Sequence, residues 1–322
     1  MASAWCRRSL ATCRIPETAV VPQAEAPEDA TAPTLPALIA LRQAVQGRQP
    51  ARRGRHGSSG IALSPLRGRG MEYAESREYV AGDDARHIDW RLSARSGRTH
   101  TKLFQAERDR LTLIVADTAP ALYFGTRVRF KSVQAARAGA VAAWAALRDG
   151  DRIAALRGSQ REAPIAPAGG MKAAMRVLEA LRRLYAEPPT EDAGLPLALD
   201  HAARVLRPGS RLVVLAEPAS AMAVAVSRWA ALARHNEVIV LLLTDAFEQQ
   251  PPKARLPFIG SAARIRLDLT GKAQRAQWRK DFESPLRDAM AMLEARGIRA
   301  IELPADVDSA SWLPAPRRRE VA

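Results

Sequence analysis

Cysteine is nearly missing from this 322-residue chain: the only two, Cys6 and Cys13, lie at the N-terminus with no further cysteine or nearby histidine to complete a metal set. That excludes a disulfide framework or a four-ligand zinc site in the folded part and fits a reducing compartment, the cytoplasm. Five histidines are scattered without a two-histidine motif. No G-x-S-x-G elbow, no P-loop and no G-x-G-x-x-G following a strand occurs; the "GRG" at Gly68 to Gly70 has neither strand nor helix beside it. Long apolar runs are also lacking. The longest, "AGAVAAWAAL" and "VIVLLL", fall well short of the roughly 18 residues that span a bilayer, so the protein is expected to be soluble or membrane-peripheral. Aromatic residues are only 5% of the chain, and those near the basic segments (Tyr73, Tyr79, Trp90, Phe104) do not form the regular stacking set of a single-strand binder.

Positive charge is present in excess. The formal net charge is +15, and it is uneven: from Arg42 to Arg110 there are 15 Lys and Arg against 8 Asp and Glu, and Arg317, Arg318 and Arg319 add a basic end. Such segments suit nucleic acid, anionic lipid or an acidic protein face, and charge alone does not choose among them. Arginine used generally in place of scarce lysine accounts for the same excess.

The pattern along the chain divides it into four parts. Residues 1–33, rich in Pro, Ala and Glu, read as a disordered tail without a continuous apolar leader. Residues 34–105 hold a helix with Leu35, Leu38, Leu41 and Val45 at helical spacing, a Gly47 cap, a basic connector, and a small β-rich subdomain of short extended pieces. Residues 106–312 alternate strand and helix. "LTLIVAD", "SRLVVLAE" and "NEVIVLLLTD" are strands of the kind buried on both faces of a parallel sheet. "DRIAALRG" is a further strand, and "ARIRLDL" a last one before a long helix. Helices are expected over Lys131 to Arg148, along the Met171 to Tyr185 stripe, along the Leu195 to Leu206 stripe with Asp192 as a possible cap, and around Ala223 to Arg234. Residues 313–322 are a basic tail. The fold class is α/β, doubly wound and mainly parallel, with a small N-terminal β-rich subdomain. Ligand sites in such folds lie at the C-terminal strand ends, which singles out Asp117, Glu217 and Asp245.

The most distinctive run is "GRGMEYAESREYVAGDDARHIDWRLSARSGRTHTKLF", Gly68 to Phe104. Its Arg77, Tyr79, Gly82, Asp83, Asp84, Arg86, Asp89, Trp90 and Arg95 resemble the domain of unknown function 58 family. The resemblance extends through "YFGT" and Lys131 to Asp245, Phe247, Glu248 and Pro257. Arg77, Arg86, Arg91 and Arg95 alternate with Glu72, Glu75, Glu78, Asp83, Asp84 and Asp89, a spacing that suits a mutually paired lattice. Gly82 is free for positive φ, an aspartate is placed to close an Asx turn, and Trp90 is available to cover the lattice from water. The same residues also suit an exposed partner surface. A metal or acid-base cluster of Asp83, Asp84, His87 and Asp89, as in a hydrolase, is a distant alternative.

The strand ending in Asp117, with acids at later strand ends, resembles a von Willebrand factor A domain. That family holds Mg²⁺ through D-x-S-x-S with a distant Thr and Asp. Here Asp117 is kept, the serine positions are Ala119 and Ala121, and Thr190 and Glu217 are the remaining candidate ligands. A methyl group cannot coordinate a metal, so Mg²⁺ is expected to bind weakly and no cofactor is required. Genes of the domain of unknown function 58 family typically lie beside MoxR-type AAA+ ATPases, which implies a non-catalytic adaptor partnered by such an ATPase. A basic nucleic-acid-binding protein is the alternative. Client, pathway and oligomeric state are not written in the sequence.

Overall fold

The computed structural model describes residues 30–46, 71–106, 110–259 and 264–314. The expected N-terminal tail, apart from residues 30–33, the Gly47 cap, the connector and the terminal arginines lie outside them. The described residues fall into two compact units, one of 30–46 with 110–314 and one of 71–106. The N-terminal helix therefore belongs with the sheet, not with the charged run.

Its leucine spacing forms two short helices, α1 (Leu35–Ala40) and α2 (Arg42–Gln46), which bury Leu38 and Val45. In the second unit, strand β1 (Met71–Glu78) pairs antiparallel with β2 (His100–Ala106). Between them lie a 3-10 turn (Ala85–His87) and helix α3 (Trp90–Ser96), where only extended pieces were expected. The reason is capping: Asp89 accepts from the Leu92 N–H, starting a helix too short for a periodicity signal.

The larger unit is a six-stranded sheet flanked by helices. In chain order come β3 (Leu111–Ala116), α4 (Lys131–Arg148), β4 (Arg152–Arg157), β5 (Ile165–Ala168), α5 (Gly170–Ala186), α6 (Gly194–Val205), β6 (Arg211–Ala216), α7 (Pro218–Met222), α8 (Val226–Ala233), β7 (Glu237–Thr244) and α9 (Ala246–Gln249). A ribbon of β8 (Arg255–Ile259) and β9 (Arg264–Asp268) follows, then α10 (Lys272–Trp278), a π turn (Arg279–Glu283), α11 (Ser284–Glu294) and β10 (Arg299–Pro304). The sheet order is β10-β7-β6-β3-β4-β5. All neighbours are parallel except β5, which lies antiparallel on β4. The chain winds from β3 through β4 to one edge and returns to β6 on the other side of β3. The switch point therefore falls between β3 and β6, as in doubly wound sheets.

Three expectations need correction. "ARIRLDL" is β9 of the separate ribbon, and the last sheet strand is β10, whose half-buried edge position weakened its apolar signal. The helix expected around Ala223 to Arg234 is α8, which starts only at Val226, and a separate short helix, α7, precedes it. Asp192 is not the α6 cap residue, which is Ala193, although its Oδ1 accepts from the Gly194 N–H at 2.9 Å.

Both sheet faces are covered. Ile114, Val213 and Leu241 pack under α1, α2, α4 and α5; Leu113, Val214 and Val240 pack under α6, α8 and α11. Helix α4 was expected to bury one stripe, yet almost every residue from Lys131 to Ala146 is buried. The cause is α1 and α2 on its outer side, where the Trp144 indole N–H donates to Leu38 O at 3.0 Å and Arg148 donates to Val45 O at 3.1 Å. Leu38 itself is fully buried. Truncation of such a side chain costs about 2 to 5 kcal/mol, so Leu38→Ala should lower unfolding free energy by that amount in urea titration. A change below about 0.5 kcal/mol would show that the helical pair is not part of the sheet unit's core.

Candidate functional site

The C-terminal strand ends carry Asp117 after β3, Glu217 after β6 and Asp245 after β7. Asp117 is buried, and both its oxygens are occupied: Oδ1 accepts from the Ala119 N–H at 3.1 Å and Oδ2 from the Glu217 N–H at 3.0 Å. The carboxylate thus bridges the two strands that flank the switch point. Glu217 caps α7, its Oε2 accepting from the Ala219 and Ser220 N–H groups at 2.7 and 3.2 Å. Asp245 caps α9 in a capping box with Glu248, and also accepts from the Thr126 N–H at 3.0 Å and the Thr126 hydroxyl at 2.5 Å.

The loop after β3 is drawn tight enough to reach Asp245. Gly125 has no room for a side chain, since a Cβ there would lie 2.3 Å from Arg129 O. At the loop's end, Lys131 opens α4 with its side chain fully buried, and its Nζ donates to Glu248 Oε1 at 2.5 Å. Burial works against the ammonium, but Glu248, Glu217 and Asp245 outweigh it and raise the lysine pKa. Burial pushes Glu248 upward, with Lys131 opposing. Phe124 and Trp278 meet the Phe247 ring edge-on, at 6.4 and 5.2 Å, and Trp278 stacks on Phe282 at 4.2 Å. The Trp278 indole donates to Glu248 O at 2.9 Å. This aromatic cover was not anticipated from the sequence, because its members are far apart in the chain.

The donor set does not suit Mg²⁺. Asp117 and Asp245 each already accept hydrogen bonds on both oxygens, Ala119 and Ala121 offer no oxygen from their side chains, and Thr190 is exposed between α5 and α6 with no side-chain hydrogen bond among the described residues. Glu217 approaches Asp117 through its backbone, not as a second ligand. Among the described residues no group of three or more acidic, histidine or cysteine side chains is arranged to hold a metal.

The hairpin unit treats its charges differently. Asp83 accepts from Arg77 at 2.7 Å and from the Val80 N–H at 3.0 Å, and the Tyr79 hydroxyl donates to Asp83 O at 3.3 Å. Gly82 closes this turn with φ 111°, a value that favours glycine. Asp84 accepts from the Arg86 N–H at 3.0 Å; Asp89 accepts from the Leu92 N–H at 3.1 Å and from the Ser76 hydroxyl at 3.3 Å. These bonds hold the Asp83 and Asp89 carboxyls below their usual range, the backbone N–H groups of Val80 and Leu92 leading. Glu78 pairs with Arg98 on the surface. The arginine–carboxylate lattice is therefore only partly formed: Arg86, Arg91 and Arg95 are exposed and make no ion pair among the described residues. Trp90, expected as a cover, is 71% exposed. Among the described residues Asp83, Asp84, His87 and Asp89 form no group arranged to hold a metal.

A doubly wound α/β sheet with a charged hairpin inserted ahead of its first strand is the class this architecture defines. The family described as "Protein of unknown function DUF58" matches residues 75–291, which takes in most of the hairpin and the sheet up to α11, and the chain belongs to that family. It is similar to uncharacterized proteins of Mycobacterium bovis and of Mycobacterium tuberculosis strains CDC 1551 and H37Rv, each 28% identical over 206 residues. The matched region covers 62% of this chain and 62% of the length of each of these relatives. No solved structure matches the chain significantly.

Burial, tempered by the Glu217 N–H, the Ser220 hydroxyl and the Ala119 N–H, pushes the Asp117 pKa from 3.8 to about 6. The folded state thus holds this proton more tightly than the unfolded chain. Stability from this group is full below the unfolded pKa and is lost as pH rises through about 6, a difference of about 3 kcal/mol. Urea unfolding between pH 4 and 7 should show wild type losing more stability than Asp117→Asn, which cannot ionise. Parallel pH profiles for the two proteins would contradict this placement of Asp117.

Proposed function

We propose that the protein is a non-catalytic interaction module whose docking surface is the arginine and tryptophan face of the hairpin unit. The observation that carries this reading is the sorting of charge within one run. Asp83, Asp84 and Asp89 accept from backbone N–H groups of their own turns, while Arg86, Arg91, Arg95 and Trp90 are exposed. An exposed tryptophan in the same run as exposed arginines has the composition of a binding hot spot, and an acidic partner surface complements it. The resemblance that implies a MoxR-type AAA+ ATPase makes that ATPase the first partner to test.

The larger unit is, on this reading, a von Willebrand factor A-like domain. The strand order, the antiparallel edge strand β5 and Asp117 at the end of β3 support it. Its metal motif is degenerate, so the partner is engaged without a bridging Mg²⁺. A second reading, nucleic-acid binding, draws on the net charge of +15 and on the capacity of Trp90 to stack on a base.

Retention of the purified ATPase on immobilised protein tests the first reading. Trp90→Ala should weaken it by about 30-fold. Arg86, Arg91 and Arg95 changed together to Ser should weaken it and flatten its salt dependence, with melting unchanged in both variants. Equal retention by wild type and both variants would remove the hairpin face from the interface. Salt-sensitive retention of DNA that the same variants abolish, with no ATPase retained, would favour the second reading.

A further inference from the structure

The resemblance read from the sequence implies a divalent cation at the end of β3, and the residues present do not fit one. The disagreement has a positive counterpart in Lys131. Its ammonium is wholly buried among carboxylates contributed by separate loops: it bonds Glu248 at 2.5 Å and feels Glu217 and Asp245 next. We propose that the Lys131 ammonium is the resident cation of this strand-end carboxylate cluster, a positioning group that ties the loop after β3 to the turn after β7 without any metal. The proposal is independent of the partner assigned to the hairpin.

The chemistry favours this substitution. Mg²⁺ demands near-octahedral oxygens and gives up its water reluctantly, and here the needed hydroxyls are alanine methyls. An ammonium carries its charge on three N–H donors and accepts irregular surroundings. Because it is covalently attached at the first residue of α4, it is not diluted, chelated or exchanged. The same loop is fixed a second time by Thr126 on Asp245, so two independent contacts join the β3 and β7 loops. Removing the ammonium would leave Glu248 Oε1 buried without its donor. That vacated volume is a place where a small cation becomes useful.

Melting temperatures of wild type, Lys131→Ala and the neutralised Lys131→Met/Glu248→Gln pair test this, each with a chelator and with millimolar Mg²⁺ or Mn²⁺. Wild type should melt at one temperature throughout. Lys131→Ala should fall by about 10 °C in chelator and recover a substantial part with Mn²⁺, whereas the double variant should melt above Lys131→Ala and ignore the metal. A rise of several degrees in wild type with either ion would overturn the proposal. So would a Lys131→Ala protein as stable as wild type or indifferent to Mn²⁺. If Lys131→Ala proves insoluble, the double variant should still be recovered folded; loss of both would mean that packing, not charge, is what Lys131 supplies.

Discussion

A carboxylate taken out of water must find donors, and the upper edge of the sheet is arranged around that demand. Parallel strands end together, and three of them end in acids: Asp117, Glu217 and Asp245. Each accepts at least one N–H group of the turn that follows, so acid and turn define one another. Asp117 goes further and accepts an N–H from the neighbouring strand end, which couples the β3 and β6 turns across the switch point. Glu248, in the turn after β7, meets a formal cation, and that cation is the buried Lys131.

The parts of this fold that were legible in the sequence are those buried on both sides. β3, β6 and β7 are continuous apolar runs because helices cover both faces, and their parallel order follows from the helices between them. The edge strands escaped notice. β5 reads "IAPA" and is largely half-buried, while β10 carries Glu302 and contacts one neighbour. The strand-end acids could be named in advance from the winding rule, but their partners could not. Thr126 lies 119 residues from Asp245, and Lys131 lies 117 from Glu248. No local pattern encodes such pairs.

The charged hairpin shows a different limit. Alternating acids and arginines are compatible with a closed lattice and with an outward-facing arginine surface, since the composition of both is the same. Backbone turns take up part of the acid: Asp84 and Asp89 accept the N–H groups that open the 3-10 turn and α3, Asp83 closes a turn while still pairing with Arg77, and Arg91 of α3 faces solvent. Trp90, the first residue of α3, is carried outward with it.

The helical pair at the start of the chain has a consequence for how the molecule comes into being. Leu38 is held by Trp144, 106 residues later, and the whole hairpin unit is made in between. At roughly 5 to 20 residues per second, α1 leaves the ribosome some 5 to 20 s before the helix that covers it. Its leucines spend that interval exposed, and the sheet's outer layer closes only when α4 arrives to receive them. The strands of the hairpin pair across at most 35 residues, Met71 with Ala106, so its pairing partners emerge much closer together in time.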